Sequence, residues 1–396
     1  MQTNTASLNN LPEPDAISAA HSERAAARIR DAIASAGDSI SFAEFMQLAL
    51  YEPGLGYYSA GATKLGAGGD FVTAPEISSL FGRVLARQCA FVLDQTGGGS
   101  VLEPGAGTGA LATSMLAKLE ELDSLPDRYL ILEVSADLME RQEALIKSKC
   151  PQFLDRVEWI SEMPVNFEGV VVANEIADAI PVERFRIENR EVMQARVTSE
   201  GKRFTWQYDL APDLLRNEVS AVEADIGYAL EDGYESEISP GVRNWVTELS
   251  NSVQNGVILL IDYGVARREY YAPDREHGWL RCHFRHHAHD DPLILPGIQD
   301  ITTWVDFSAV ASAACDAGMA VAGYVTQAHL LMDGGLEEEL ADFTSLPVAR
   351  QIELSGQVKL LTLPAEMGEN FKCLGLSRGN IITPPALAAS DKAHLL

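Results

Sequence analysis

The chain has 396 residues, 46% hydrophobic and 22% charged, with a mean hydropathy of −0.02, enough apolar side chain to exclude a wholly disordered chain. Asp plus Glu number 57 against 30 Lys plus Arg, a net charge of −27, which repels phosphate backbones and anionic lipid and excludes general nucleic-acid or membrane binding. Single cores stop growing near ~250 to 300 residues, so one large domain with insertions, or two, is expected. Cys89, Cys150, Cys282, Cys315 and Cys373 are odd in number and form no C-x-x-C pair, so neither a disulfide framework nor a zinc cluster is expected.

Residues 1–20 contain no basic segment followed by an apolar run and no Arg-rich transit pattern; they are expected to be a flexible leader on a soluble, cytoplasmic protein. Residues 21–96 read as a helical cap with a Gly-rich loop. A helix over 22–36 stops at Gly37, and Ser41 with Glu44 forms a capping box for a second. Glycines 54, 56, 61, 66, 68 and 69 then mark a long loop, either a lid or a plain linker. A third helix is expected over 79–94, closed by Gly97, Gly98 and Gly99.

From Ser100, short apolar runs (VLEPG, YLILEV, VEWI, VVVANE, VILLIDYG) alternate with helical stretches, the pattern of a parallel α/β sheet of about seven strands. Residues 97–181 and 256–378 form its two parts. Residues 182–255 interrupt it with an expected antiparallel β-meander followed by helices. The acidic stretch from Glu218 through Glu237 reads as a solvated face, with attraction for a basic partner as the second reading. Residues 379–396 are expected to fray.

The sharpest motif is VLEPGAGTGALATSML, a strand, a glycine turn and an apolar-periodic helix. Gly105, Gly107 and Gly109 allow close approach of a ligand to the backbone, and the helix start offers free amides. The same spacing fits a dinucleotide fingerprint, so an NAD-linked oxidoreductase is an alternative. Glu103 favours a ligand carrying an ammonium, such as S-adenosylmethionine, over a pyrophosphate. Glu133, ending the second run, suits the ribose hydroxyls of either cofactor. A structural glycine turn is the bland reading.

At the end of the fourth run stand Asn174, Glu175 and Asp178, placed by strand order in the crevice that holds Gly107. They either cap the next helix or grip a substrate cation such as guanidinium and accept its proton. Asp262 is a third candidate carboxylate. The run Arg281 to His289 holds four of eight histidines, but its spacing fits no ligand scheme, so no metal is expected there; it reads as a closing loop or an exposed turn.

Taken in order, YEPGLGYYS, GDFVTAPEIS, LEPGAGTGALA, YLILEVSADLMERQ, ANEIADAIPVERF, LIDYG, PGIQDITTWVDFS and MGENFKCLGLS resemble the S-adenosylmethionine-dependent methyltransferase family of the MidA-like mitochondrial complex I assembly arginine methyltransferases and their bacterial relatives, over about residues 41–377. The resemblance implies a Rossmann-like class I core of seven strands, with a helical cap and an inserted substrate lobe. It implies cofactor contacts at Glu103, Gly105, Gly107 and Glu133, with Gly69, Asp70, Thr73 and Pro75 closing over them. Ile176-Ala177 stands where the family has a bulkier aliphatic pair, a departure expected to alter packing. Arginine N-methylation of a protein substrate is then expected, with Glu175, Asp178 and Asn174 in the pocket and Tyr57, Tyr58 and Asp70 from the lid. A homodimer is admitted, and a non-catalytic assembly factor remains an alternative.

Overall fold

A computed structural model describes residues 11–59 and 72–396. Gly69 and Asp70, expected over the cofactor, lie outside the described residues. Seven strands form the central sheet: β1 Ser100–Pro104, β2 Tyr129–Leu132, β3 Val157–Ile160, β4 Phe167–Asn174, β5 Val253–Val265, β6 Ala320–Thr326 and β7 Phe371–Arg378. Their spatial order is β3-β2-β1-β4-β5-β7-β6, with Val305–Asp306 as a short eighth strand beside β5. The first five run parallel and β7 runs antiparallel to both neighbours. This is the α/β class expected from the alternating runs.

Buried parallel strands alternate their side chains between two apolar faces. Val101, Val170, Val172, Val257, Leu259 and Ile261 fill one core. Leu102, Val171, Ile258 and Leu260, one position out of phase, fill the other. The register therefore fixes which face each helix covers. Reversal of chain order falls between β1 and β4, and the carboxyl ends of these strands open the crevice where α/β sheets bind ligands.

The amino-terminal helices α1 (Ala16–Ser35) and α2 (Phe42–Tyr51) precede the sheet. Ser41 Oγ accepts from the Glu44 amide at 3.2 Å, capping α2 as its sequence requires. Residues 15–20, expected in a flexible leader, instead begin α1: Asp15 caps it by accepting from the Ile17 and Ser18 amides at 3.0 and 2.9 Å. Next follow α3 (Ser79–Thr96), α4 (Ala110–Glu121) and α5 (Ala136–Lys149).

The insertion is a meander of Glu183–Glu188, Glu191–Glu200 and Arg203–Leu210, followed by a helix at Asp213–Ile226, a fourth strand at Glu235–Ile238 and a helix at Pro240–Ser252. Asn189 and Arg190 both have positive φ, 53° and 66°, the backbone a two-residue hairpin needs. The cap and the insertion share one core: Phe42, Phe45 and Met46 meet Val197 and Phe204, and Ile40 pairs with Val197. The end of the acidic stretch is not a solvated face. Glu237 is fully buried, and Arg184 lies 2.8 Å from Glu235 and 3.3 Å from Glu237.

The last residues also depart from expectation. Ala386 and Leu387 are fully buried in the sheet's core, and the Lys392 amide donates to the Tyr324 carbonyl at 2.7 Å. Burial of these apolar side chains favours docking of the segment. No helix among the described residues is long and apolar enough to cross a membrane.

Candidate active site

Two clefts of similar volume, about 930 and 940 Å³, indent the protein. The first lies between α1, the meander and residues 290–296. The second sits at the carboxyl ends of β1, β2 and β4 and gathers Glu103, Gly105, Gly107, Glu133, Asn174, Glu175 and Asp178 with Thr73 and Pro75. The sequence motifs converge on the second.

The glycine turn is held in the left-handed region, with φ of 59° at Gly105, 54° at Gly107 and 85° at Gly109, where a β-carbon is strained. A β-carbon on Gly105 would come within 2.5 Å of Ile176 Cδ1, so the departure at 176–177 packs directly against this turn. Gly109 does not line the cleft as expected. It starts α4, and a β-carbon there would meet Gln142 Cα at 3.3 Å, so its task is helix packing.

Glu103 is buried and accepts from the Tyr129 hydroxyl at 2.5 Å. Burial pushes its pKa up to about 7, against the opposing hydrogen bond. Glu133 caps the end of β2: one oxygen accepts from the Val134 and Ser135 amides, both at 2.9 Å, and the other from Gln142 Nε2 at 3.2 Å.

On the opposite wall, Glu175 has φ of 54°. A non-glycine residue held there costs ~1–3 kcal/mol, and such strain clusters at functional sites. Burial first, and Asp178 second, raise its pKa to about 8, although Asn174 Nδ2 and the Ala74 amide donate to its carboxylate. Asp178 Oδ2 accepts from the Tyr263 hydroxyl at 2.5 Å, while Asp178 Oδ1 and Asn174 Oδ1 are buried with no hydrogen-bond partner among the described residues. Buried acceptors are rarely left so unless something else donates to them.

Several expected roles are corrected. Asp262 is fully buried and off the cleft; its carboxylate accepts from the Ala177, Asp178 and Tyr263 amides at 2.9, 3.2 and 2.9 Å, holding the turn that carries Asp178. Tyr57 is buried in the cap core. Tyr58 does line the cleft, donating to Asp300 at 2.8 Å and stacking on Tyr51 with ring centroids 5.4 Å apart. The histidine-rich run is a β-hairpin and not a closing loop, and only its tip at Arg285 and His286 is a turn, with His286 and His287 exposed. Arg281–Phe284 and His287–His289 form a hairpin joined by Asp300–Thr302, with Cys282 in the cap core. No His, Cys, Asp or Glu cluster among the described residues could hold a metal ion. Tyr51, Tyr263 and Gln142 stand inside YEPGLGYYS, LIDYG and YLILEVSADLMERQ but drew no individual role from the sequence, since a tyrosine or a helical glutamine does not by itself declare a partner.

Residues 84–325 match the family described as "Putative S-adenosyl-L-methionine-dependent methyltransferase". The chain belongs to this family. A Burkholderia thailandensis protein crystallised with S-adenosyl-homocysteine is 37% identical, with a TM-score of 0.92 over 98% of this chain and 100% of that one. Among curated relatives, the mitochondrial protein arginine methyltransferase NDUFAF7 of Bos taurus is 30% identical over 85% of this chain and 80% of its own length. Its Danio rerio counterpart is 28% identical over 84% and 82%. The family, and the S-adenosyl-homocysteine held by the Burkholderia relative of the same fold, remove the dinucleotide alternative: the chain is a methyltransferase and S-adenosylmethionine is its methyl donor. The residues present fit that donor, with a side-chain-free turn at Gly105 and Gly107 and carboxylates at Glu103 and Glu133 facing one cleft.

Proposed function

We propose that the methyltransferase modifies a guanidino nitrogen of an arginine in a protein substrate. The observation that carries this reading is the pair of buried oxygens, Asn174 Oδ1 and Asp178 Oδ1, that have no partner among the described residues, beside the strained Glu175 in a cleft shared with the glycine turn. A guanidinium is a planar fork of five N–H donors and no acceptors, the complement of such a wall. Curated relatives named as protein arginine methyltransferases support the same reading.

S-adenosylmethionine, when bound, supplies an electrophilic methyl group on a sulfonium. In this reading Glu103 meets its ammonium, Glu133 its ribose hydroxyls, and Gly105 and Gly107 admit it to the backbone, with Thr73 and Pro75 over the cleft. Asp178 and Asn174 orient the guanidinium, and Glu175 takes the proton its nitrogen loses on methylation. Little covalent chemistry is asked of these groups: proximity and orientation can lower a barrier by roughly 7–11 kcal/mol.

The test is transfer of labelled methyl from S-adenosylmethionine to arginine-containing and lysine-containing peptides and to cell extract. Label should appear on arginine, and Glu175→Gln should abolish it while S-adenosylhomocysteine still binds. Label on lysine, or full turnover by Glu175→Gln, rejects the assignment.

A further inference from the structure

We propose that Gln142 is a positioning residue of the cofactor cleft, fastening the glycine turn to the carboxylate of Glu133. The proposal rests on the reading of Glu133 as the ribose-binding group. Gln142 is fully buried in α5, a helix whose only other buried residue is Ile146. A buried amide is costly unless its polar atoms are satisfied, and a leucine would fill the same space without that cost.

Here both ends of the amide are used. Nε2 donates to the Gly107 carbonyl at 3.0 Å and to Glu133 Oε2 at 3.2 Å, while Oε1 accepts from Trp159 Nε1 at 2.9 Å. One side chain thus ties the turn after β1, the end of β2 and strand β3. Gly109 lets α4 approach the backbone of Gln142 itself. Gln142 is absent from the cleft lining, so it acts through others. Its bond turns the Gly107 carbonyl toward α5. It also completes the bracing of Glu133, whose other oxygen is held by the Val134 and Ser135 amides.

Two substitutions separate positioning from space-filling. Gln142→Met keeps the volume and removes both donors, so the Kd for S-adenosylhomocysteine should rise about tenfold or more. The KM for S-adenosylmethionine should rise more than kcat falls. Gln142→Glu can still accept from Trp159 but sets a second carboxylate against Glu133. Its Kd relative to that of the unaltered protein should grow as pH rises from about 6 to 8.5 and recover in acid, where the protonated side chain donates again. A space-filling glutamine would lower Tm in both variants and leave the Kd ratio flat with pH. That flat ratio, or an unchanged Kd in Gln142→Met, overturns the proposal.

Should Gln142→Met fail to fold, the pH profile of Gln142→Glu decides alone. Glu133→Ala locates a failure. If it leaves S-adenosylhomocysteine binding intact, the ribose reading falls and takes the fastening with it. If it weakens binding while the Gln142 variants do not, only the role of Gln142 is lost.

Discussion

Tyr263 donates its hydroxyl hydrogen bond to Oδ2 of Asp178 at 2.5 Å, leaving Oδ1 of the same carboxylate buried and without a protein partner among the described residues. On the role proposed for Asp178, the tyrosine fixes which oxygen would meet a substrate. Removing the hydroxyl with Tyr263→Phe frees the carboxylate to turn. A hydrogen bond to a charged group is worth about 1.5–3 kcal/mol, so kcat/KM should fall roughly 10- to 100-fold. Calorimetry should show S-adenosylhomocysteine binding unchanged; a variant with full activity would make the contact incidental.

Glu175 should give the cleft a pH dependence. Its pKa is raised from 4.5 to about 8 by burial and by Asp178. Because the folded value is the higher one, this group favours folding most below 4.5 and loses that contribution as pH rises toward about 8. Ligand-free protein should therefore lose stability across that window, and Glu175→Gln should flatten the decline in a denaturation series. A bound guanidinium favours the carboxylate, so binding should release a proton below pH about 8, read as buffer-dependent binding heat.

Glu103 should set the pH dependence of cofactor binding. With a pKa near 7, raised by burial, it ionises as pH rises through neutrality, so S-adenosylhomocysteine should bind more tightly above about 7 than below. Glu103→Gln should weaken binding by roughly 10- to 100-fold, the worth of a charge-assisted hydrogen bond, and remove the pH step. Tyr129→Phe removes the bond that favours the carboxylate and should move the step to higher pH. A pH-independent Kd in the unaltered protein would contradict this role.

Asp262 should behave as a structural acid. Its burial and the neighbouring Asp178 and Glu175 raise its pKa well above the ordinary carboxyl range, against the three amides that donate to it. Asp262→Ala leaves those amides unsatisfied and should cost about 3 kcal/mol by urea denaturation. Activity should fall with it, since Asp178 rides on the same turn. Normal stability in Asp262→Ala would remove this assignment.

The carboxyl-terminal segment should be needed for stability. Leu387 is fully buried, and its side chain would lie within 2.2 Å of a β-carbon on Gly375 in β7. Leu387→Ala should cost about 2–5 kcal/mol, and truncation after residue 378 should cost at least as much. An unchanged Tm in the truncated chain would return the segment to the role of a loose tail.

Motifs with local causes were legible. Period and turn chemistry revealed the strands, the capped helix at Ser41 and the meander, because a strand's apolar alternation and a cap's side-chain oxygen are written within a few residues. Glu103, Glu133, Asn174, Glu175 and Asp178 were legible because each stands at a strand end beside a turn. Gln142 and Tyr263 were hidden for the opposite reason. Their partners Gly107 and Asp178 lie 35 and 85 residues away, so the strings that contain them show a helical polar residue and an aromatic at a strand end without showing what either one holds.

By itself, the sequence determined the fold class, the glycine turn and the carboxylates at the strand ends, since backbone geometry and apolar period act over short spans. Only the tertiary structure decided which acid faces the cleft and which is spent on amides. Asp262 and Asp178 are both buried acids near strand ends, yet one satisfies three backbone N–H groups while the other keeps an oxygen with no partner among the described residues. That division follows from where β5 places Asp262 beneath the turn after β4, a relation across 84 residues that no local pattern encodes.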